Sequence, residues 1–151
     1  MKGRDGEKLA VDAVTELIVE VFRLNGSLIE AGNDLVKNLG LTSARWQLLG
    51  AIDVAGVPLP VAHVARNMGL ARQGVQRLAQ EMANDGLLRF EPNPHHRRAK
   101  LVVMTPRGRE TFRAAMALQR KWAAELMRDN DPHAVAAAAA VLRGVRAVLE
   151  A

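Results

Sequence analysis

Cysteine is absent from the 151 residues. Disulfide scaffolds, Cys-ligated zinc, thiol nucleophiles and Cys-based redox sensing are therefore excluded. Tyrosine is also absent, and aromatics reach only 3%. A core must then be built from Leu, Val, Ala and Met, a set that suits helices. Long apolar runs are missing as well. The longest, residues 135–142, is about half of what a bilayer span needs. The opening residues Met1-Lys2-Gly3-Arg4-Asp5-Gly6-Glu7-Lys8 are charged, with no apolar stretch behind them. No secretory signal and no membrane partner are expected, and the protein is expected in the cytoplasm.

The motifs of catalysis are equally scarce. No Gly-rich phosphate loop, Ser-centred elbow, His-Glu helix motif or paired carboxylate cluster stands out. Asp34, Asp53 and Asp85 fall on different predicted elements with no His at supporting spacing. The only histidines are His63, His95, His96 and His133, and adjacent ones on a loop rarely converge on one ion. Neither an enzyme nor a metal or cofactor site is expected.

What is present is an ordinary globular composition, 49% hydrophobic and 25% charged, with a net charge of +5. One compact domain is the expectation for this length. The isoelectric point near 10.4 favours a polyanionic partner. Where the charge sits matters more than its sum. Residues 89–113 hold Arg89, Arg97, Arg98, Lys100, Arg107, Arg109 and Arg113 against only Glu91 and Glu110.

Hydrophobic spacing predicts a long first helix over residues 11–39, bent near Gly26 or Gly32 and stopped at Gly40. Thr42 is placed to N-cap a second helix, with Leu41 and Trp46 at the positions of a hydrophobic staple. Pro60 opens a third helix whose inner face is Val61, Val64, Ala65 and Met68, and Gly69 breaks it. A fourth helix over residues 71–84 carries the apolar stripe Val75, Leu78, Ala79 and Met82. Residues 87–91 and 99–104 alternate like strands, separated by Pro92-Asn93-Pro94-His95-His96-Arg97-Arg98. Pro106 starts a fifth helix, the Asn130-Asp131-Pro132 segment breaks it, and residues 133–149 form the last. The fold class expected is mainly α with a small β-hairpin.

Two short helices joined by a Gly-containing turn, then a hairpin, make a winged helix-turn-helix. With Val75, Leu78 and Met82 inward, Gln73, Gln76, Arg77 and Gln80 lie on the opposite side of the fourth helix, and Arg72 sits beside them. Arg can donate bidentately to guanine, and Gln matches the donor–acceptor pair of adenine. Gly74 leaves room for close backbone approach to DNA. No acidic residue occurs in residues 70–80. Arg97 and Arg98 at the hairpin tip, with Lys100 beyond it, can reach the adjacent minor groove.

Leu41-Thr42-Ser43-Ala44-Arg45-Trp46-Gln47-Leu48-Leu49 resembles the second-helix signature of the MarR (multiple antibiotic resistance regulator) family. Residues 61–70 resemble the family's third helix. Val75-Gln76-Arg77-Leu78 followed by Asp85-Gly86-Leu87-Leu88 is similar to its recognition helix and exit. Residues 93–100 and Met104-Thr105-Pro106-Arg107-Gly108 resemble the wing and the start of the next helix. The resemblance implies a DNA-binding part at residues 41–105, with helical dimerisation parts at residues 8–40 and 106–151. It further implies a homodimeric transcriptional regulator, a repressor, on an inverted-repeat operator of double-stranded DNA. The apolar last helix, with Val135, Val141, Leu142, Val145, Val148 and Leu149, is consistent with dimerisation.

Many members of the family respond to small aromatic or phenolic ligands, and Phe22, Arg45, Trp46 and Phe112 are the candidates for such a pocket. The chain departs from the family where its wing commonly carries Asp, at Asn93 and His96, whose carboxylates would brace the arginines. The wing is then either less rigidly held or helped by protonated His96 below about pH 6.5. Gly74 replaces the family's usual Ser or Thr. The competing reading is a winged helix used for protein contacts, without specific DNA binding.

Overall fold

Apolar residues at helical spacing form six α-helices, and the alternating segments form strands. The computed structural model describes residues 2–151, with side chains described from Gly6 onward. The side chains of the charged opening segment, residues 1–5, lie outside that description. The first elements are α1 (Lys2–Val36), a 3-10 turn (Lys37–Leu39), α2 (Ser43–Ala55), β1 (Leu59–Pro60) and α3 (Val61–Asn67). There follow α4 (Arg72–Asn84), β2 (Leu88–Glu91), β3 (Leu101–Met104), α5 (Pro106–Leu126) and α6 (Pro132–Leu149). Two compact units divide the chain, Met1–Ala115 and Met116–Ala151, with the division inside α5.

Local chemistry sets the boundaries. Gly40 takes a left-handed φ of 69° and closes the turn after α1. The Thr42 hydroxyl accepts from the Arg45 N–H at 3.3 Å, capping α2. The helix α1 starts before residue 11, since no proline interrupts residues 2–10, and it runs unbroken through Gly26 and Gly32. The expected hairpin is in fact part of a three-stranded antiparallel sheet in the order β1-β3-β2. Leu59 pairs with Val102 and Pro60 with Leu101, while Leu88 to Glu91 pair with Met104 to Leu101. Two residues are too few to show alternation, and Pro60 lacks a ladder donor. That is why β1 left no trace in the pattern.

The core of the first unit gathers around α4. Val75 is 2% exposed, and Ala79 and Met82 are fully buried. They pack with Val61, Val64 and Ala65 of α3, Leu48 and Leu49 of α2, and Leu88, Val102 and Met104 of the sheet. Each large side chain so enclosed stabilises the fold by roughly 1.5–3 kcal/mol. Leu78, expected inward, is only half-buried at the edge of this cluster.

Two close approaches lock the unit. A Cβ at Gly32 would strike the Ser43 hydroxyl, so α1 and α2 meet without a side chain between them. Ser43 is buried yet satisfied: its hydroxyl donates to the Ile29 carbonyl and its N–H to the Asn33 carboxamide, both at 2.7 Å. At the start of α5, a Cβ at Gly108 would overlap the Leu87 carbonyl. That carbonyl cannot retreat freely, because it accepts from the Thr105 N–H at 3.0 Å.

In the second unit the Asp131 carboxylate accepts from the His133 and Ala134 N–H groups at 3.2 Å each, capping α6 behind Pro132. No residue of α6 is buried. Its 18 residues have a mean hydropathy of 1.3, long and apolar enough to cross a membrane by length and composition alone. The uninterrupted run counted from the sequence understates this, because Arg143 and Arg146 cut it short while the helix continues.

Gly108→Ala is expected to destabilise the chain by about 1–3 kcal/mol through overpacking against Leu87. Gly50→Ala, whose Cβ would sit in ordinary contact with Phe112 at 3.8 Å, is expected to stabilise it by about 0.5–1 kcal/mol. Urea denaturation of the two variants at one protein concentration checks both signs.

Candidate nucleic-acid interface

The turn between α3 and α4 is tight. Gly69 is left-handed at φ 65°, and the Leu70 N–H returns to the Ala65 carbonyl at 3.0 Å. With Val75, Ala79 and Met82 turned into the core, helical geometry leaves Arg72, Gln73, Gln76, Arg77 and Gln80 exposed. These five line one shallow concavity on the outer side of α4. Gly74 lies outside this concavity, lining an apolar groove on the far side of Arg77, and a Cβ there would meet nothing within 4 Å.

The wing is braced by an amide. Asn93 Nδ2 donates to the Ala99 carbonyl at 2.9 Å, and its Oδ1 accepts from the His95 N–H at 3.0 Å. The Ala99 N–H in turn donates to the His96 carbonyl at 3.0 Å. A carboxylate at position 93 could accept from His95 but could not donate to Ala99. The departure from Asp at this position therefore leaves a neutral clasp across the loop. Arg97 and Arg98 are exposed, as is Lys100, and no carboxylate pairs with any of them among the described residues.

Helix and wing meet at a groove of about 180 Å³. Arg72, Gln76 and Gln80 of α4 line it together with Arg98 and Lys100 of the wing and Pro60 and Ala62 at the start of α3. No carboxylate contributes to its lining. Arg97 stands outside it. Three cations around an acid-free groove attract a polyanion, and the interleaved glutamines and arginines add directional hydrogen-bonding groups.

Several partners were not anticipated from the sequence. Arg77 Nε donates to Glu81 Oε1 at 3.1 Å, and Gln80 Nε2 donates to Asn84 Oδ1 at 3.2 Å. Arg89 is occupied by Glu91, with contacts of 2.6 and 3.1 Å, so it adds little to the positive surface. Asp85, just past α4, pairs with Arg45 of α2 at 2.8 Å, and its carbonyl accepts from Arg107 at 3.1 Å. The i, i+4 spacing of Arg77 and Glu81 was a readable signal lying just beyond the acid-free window.

The four residues suggested for a ligand pocket have separate surroundings. Arg45 is committed to Asp85, while Trp46 and Phe112 stand where a Cβ added at Gly32 or at Gly50 would meet them, at 3.7 and 3.8 Å. Trp46 and Phe112 flank the core, whereas Phe22 on α1 is 74% exposed.

Comparison with known proteins gives this geometry a context. A family model described as MarR family matches residues 39–99. An uncharacterized protein of Mycobacterium tuberculosis, Rv2011c, is 39% identical over 103 residues, which is 68% of this chain and 71% of that protein. The chain belongs to the MarR family. Its members are winged-helix transcription regulators, not enzymes. The transcriptional activatory protein BadR of Rhodopseudomonas palustris is 29% identical over 104 residues, 68% of this chain and 59% of BadR. A solved structure of a mutant MarR from E. coli, complexed with operator DNA, shares the fold with a TM-score of 0.78. It is 19% identical, over 89% of this chain and 96% of that one. In this MarR-family chain α3 and α4 are the paired helices of the winged-helix fold, and the β2–β3 loop is its wing.

Asn93→Ala is expected to open the clasp, costing about 1 kcal/mol for the bonds removed. Trypsin should then cut after Arg97 or Arg98 several-fold faster than in the unaltered protein. Equal cleavage rates would show that the amide does not hold the wing.

Proposed function

We propose that this MarR-family chain binds double-stranded DNA sequence-specifically as a homodimer on an inverted-repeat operator. The single observation that supports this best is the acid-free groove in which Arg72, Gln76 and Gln80 of α4 meet Arg98 and Lys100 of the wing. In this reading α4 enters the major groove, where Arg77 and the glutamines read base edges. Arg97 and Arg98 reach the flanking minor groove, and Lys100 meets the phosphate backbone. The absence of a side chain at Gly74 brings the helix backbone close to the DNA.

Dimerisation is supported by apolar faces that the single chain leaves uncovered. On α1, Leu9, Val14, Ile18, Phe22 and Leu24 are each more than 40% exposed, and on α6 so are Val135, Val141, Val148 and Leu149. A second copy covers such faces with closed two-fold symmetry, which sets half-sites about one helical turn apart. The apolar character of α6 is read as a second uncovered face of this kind, within its own unit.

An operator occupied in this way represses when it overlaps a promoter. BadR carries the opposite sign in its name, so the position of the operator decides the sign of control. Release by a small aromatic or phenolic ligand belongs to the same reading. Its best-supported seat is an apolar groove of about 420 Å³ beside α4, lined by Ala44, Leu70, Ala71, Gly74 and Leu78, in place of Phe22, Arg45, Trp46 and Phe112.

Two outcomes are expected. Sedimentation at micromolar concentration should give about twice the 16.4 kDa chain mass. On DNA selected from a random duplex library, Arg77→Ala should cost about 1–3 kcal/mol of specific affinity. Arg98→Ala should weaken every sequence similarly and lower the salt slope by about one. Binding that selects no sequence, with both variants acting only as lost charge, would favour a protein-contact module instead.

A further inference from the structure

The recognition helix presents two arginines, and they stand in different surroundings. Arg72 has no carboxylate partner among the described residues. Arg77 is held by Glu81 one turn further on, through its Nε–H and the Glu81 Oε1 at 3.1 Å. The order Arg then Glu along the helix is the less favourable one for an i, i+4 pair. With the two side chains 85% and 45% exposed, the pair adds little to stability. A carboxylate beside a phosphate-facing surface also works against binding polyanions. Stability and general DNA attraction thus both fail to explain why this pair is formed.

Its geometry offers another reason. A guanidinium can address guanine side-on, with Nε and one Nη, or end-on, with both Nη groups. Glu81 occupies Nε, which leaves the two Nη groups as a planar fork at the end of the side chain. It also restrains a long side chain that would otherwise sample many rotamers. Glu81 sits at the rim, lining the apolar groove beside α4 together with Arg77, while Arg77 alone of the two also lines the outward concavity with Gln73, Gln76 and Gln80. The carboxylate therefore stands behind the arginine relative to the reading face.

We infer that Glu81 is a positioning residue that sets Arg77 for end-on, bidentate recognition of one guanine in each half-site. The inference rests on the DNA-binding reading above. It assigns sequence selectivity to a residue that itself lowers overall attraction to DNA. Removing Glu81 then has two opposed effects. Arg77 becomes free to swing to a phosphate, so unrelated DNA binds as well or better. Discrimination at the one guanine falls.

The test uses the full-length protein and duplexes carrying its selected sequence, with every base pair substituted in turn. Arg77→Ala locates the guanine by abolishing preference at that position. Glu81→Ala is expected to reduce preference at the same position about five-fold or more, while affinity for unrelated duplex is kept or raised. Glu81→Gln keeps an acceptor oxygen and should retain an intermediate preference. In the Arg77→Ala background, Glu81→Ala should change preference nowhere. Undiminished preference in Glu81→Ala, or an equal loss of affinity on all sequences, overturns the inference while leaving specific DNA binding standing. A protein that selects no sequence at all overturns the DNA-binding reading, and the assignment of Glu81 with it.

Discussion

The buried stripe of α4 is the constraint on which the rest of the molecule's presentation depends. Val75, Ala79 and Met82 recur at i, i+4 and i+7, and all are sealed against α3, α2 and the sheet. Each residue along a helix turns its side chain by about 100°. A helix rotated by one position would bury Gln76 or Gln80 without partners and expose Met82. The cost of such unsatisfied burial holds the helix in one rotation. The polar face is thus set by the apolar one. Small Ala79 at the centre keeps α4 close enough to its neighbours for Arg72, Gln76 and Gln80 to meet the wing across a narrow groove.

The exit of α4 fixes the helix along its length. Gly86 takes φ 77°, and the Leu87 N–H returns to the Met82 carbonyl at 2.9 Å, ending the helix and aiming the chain into β2. Arg45 and Arg107 hold Asp85 from two sides, one at its carboxylate and one at its carbonyl. Thr105 donates to the Gly86 carbonyl at 2.7 Å, and its hydroxyl accepts from the Gly108 N–H at 3.0 Å. One threonine therefore caps α5 and ties it to the end of α4. Only glycine at position 108 allows the two chain segments to approach so closely. The end of α4 is anchored by the same residues that begin α5.

Much of this was legible in the sequence because it depends on local chemistry. Gly40, Thr42 and Gly69 act through their own backbone or nearest neighbours, and the α4 stripe repeats over enough residues to define a face. Other features depend on partners far along the chain. The strand at Leu59 and Pro60 exists only because β3 lies beside it. Asn93 spans to Ala99 through a donor that the family's usual acid lacks, so its substitution first suggested weakness where the structure has a clasp. Arg45, Trp46 and Phe112 carry chemistry that suits a ligand, yet each has a structural partner that residue type alone could not reveal. Glu81 lay one residue beyond the acid-free window.

The central claim is that α4 and the wing act as one surface on DNA, duplicated by two-fold symmetry. Hydroxyl-radical footprinting of the protein on its selected duplex tests this most directly, since it reports backbone protection at single-nucleotide resolution. The account predicts two symmetric blocks of protection centred about one helical turn apart. Each should be flanked on its outer side by protection across a minor groove, where the wing reaches. A single block, or uniform protection without symmetry, would contradict it.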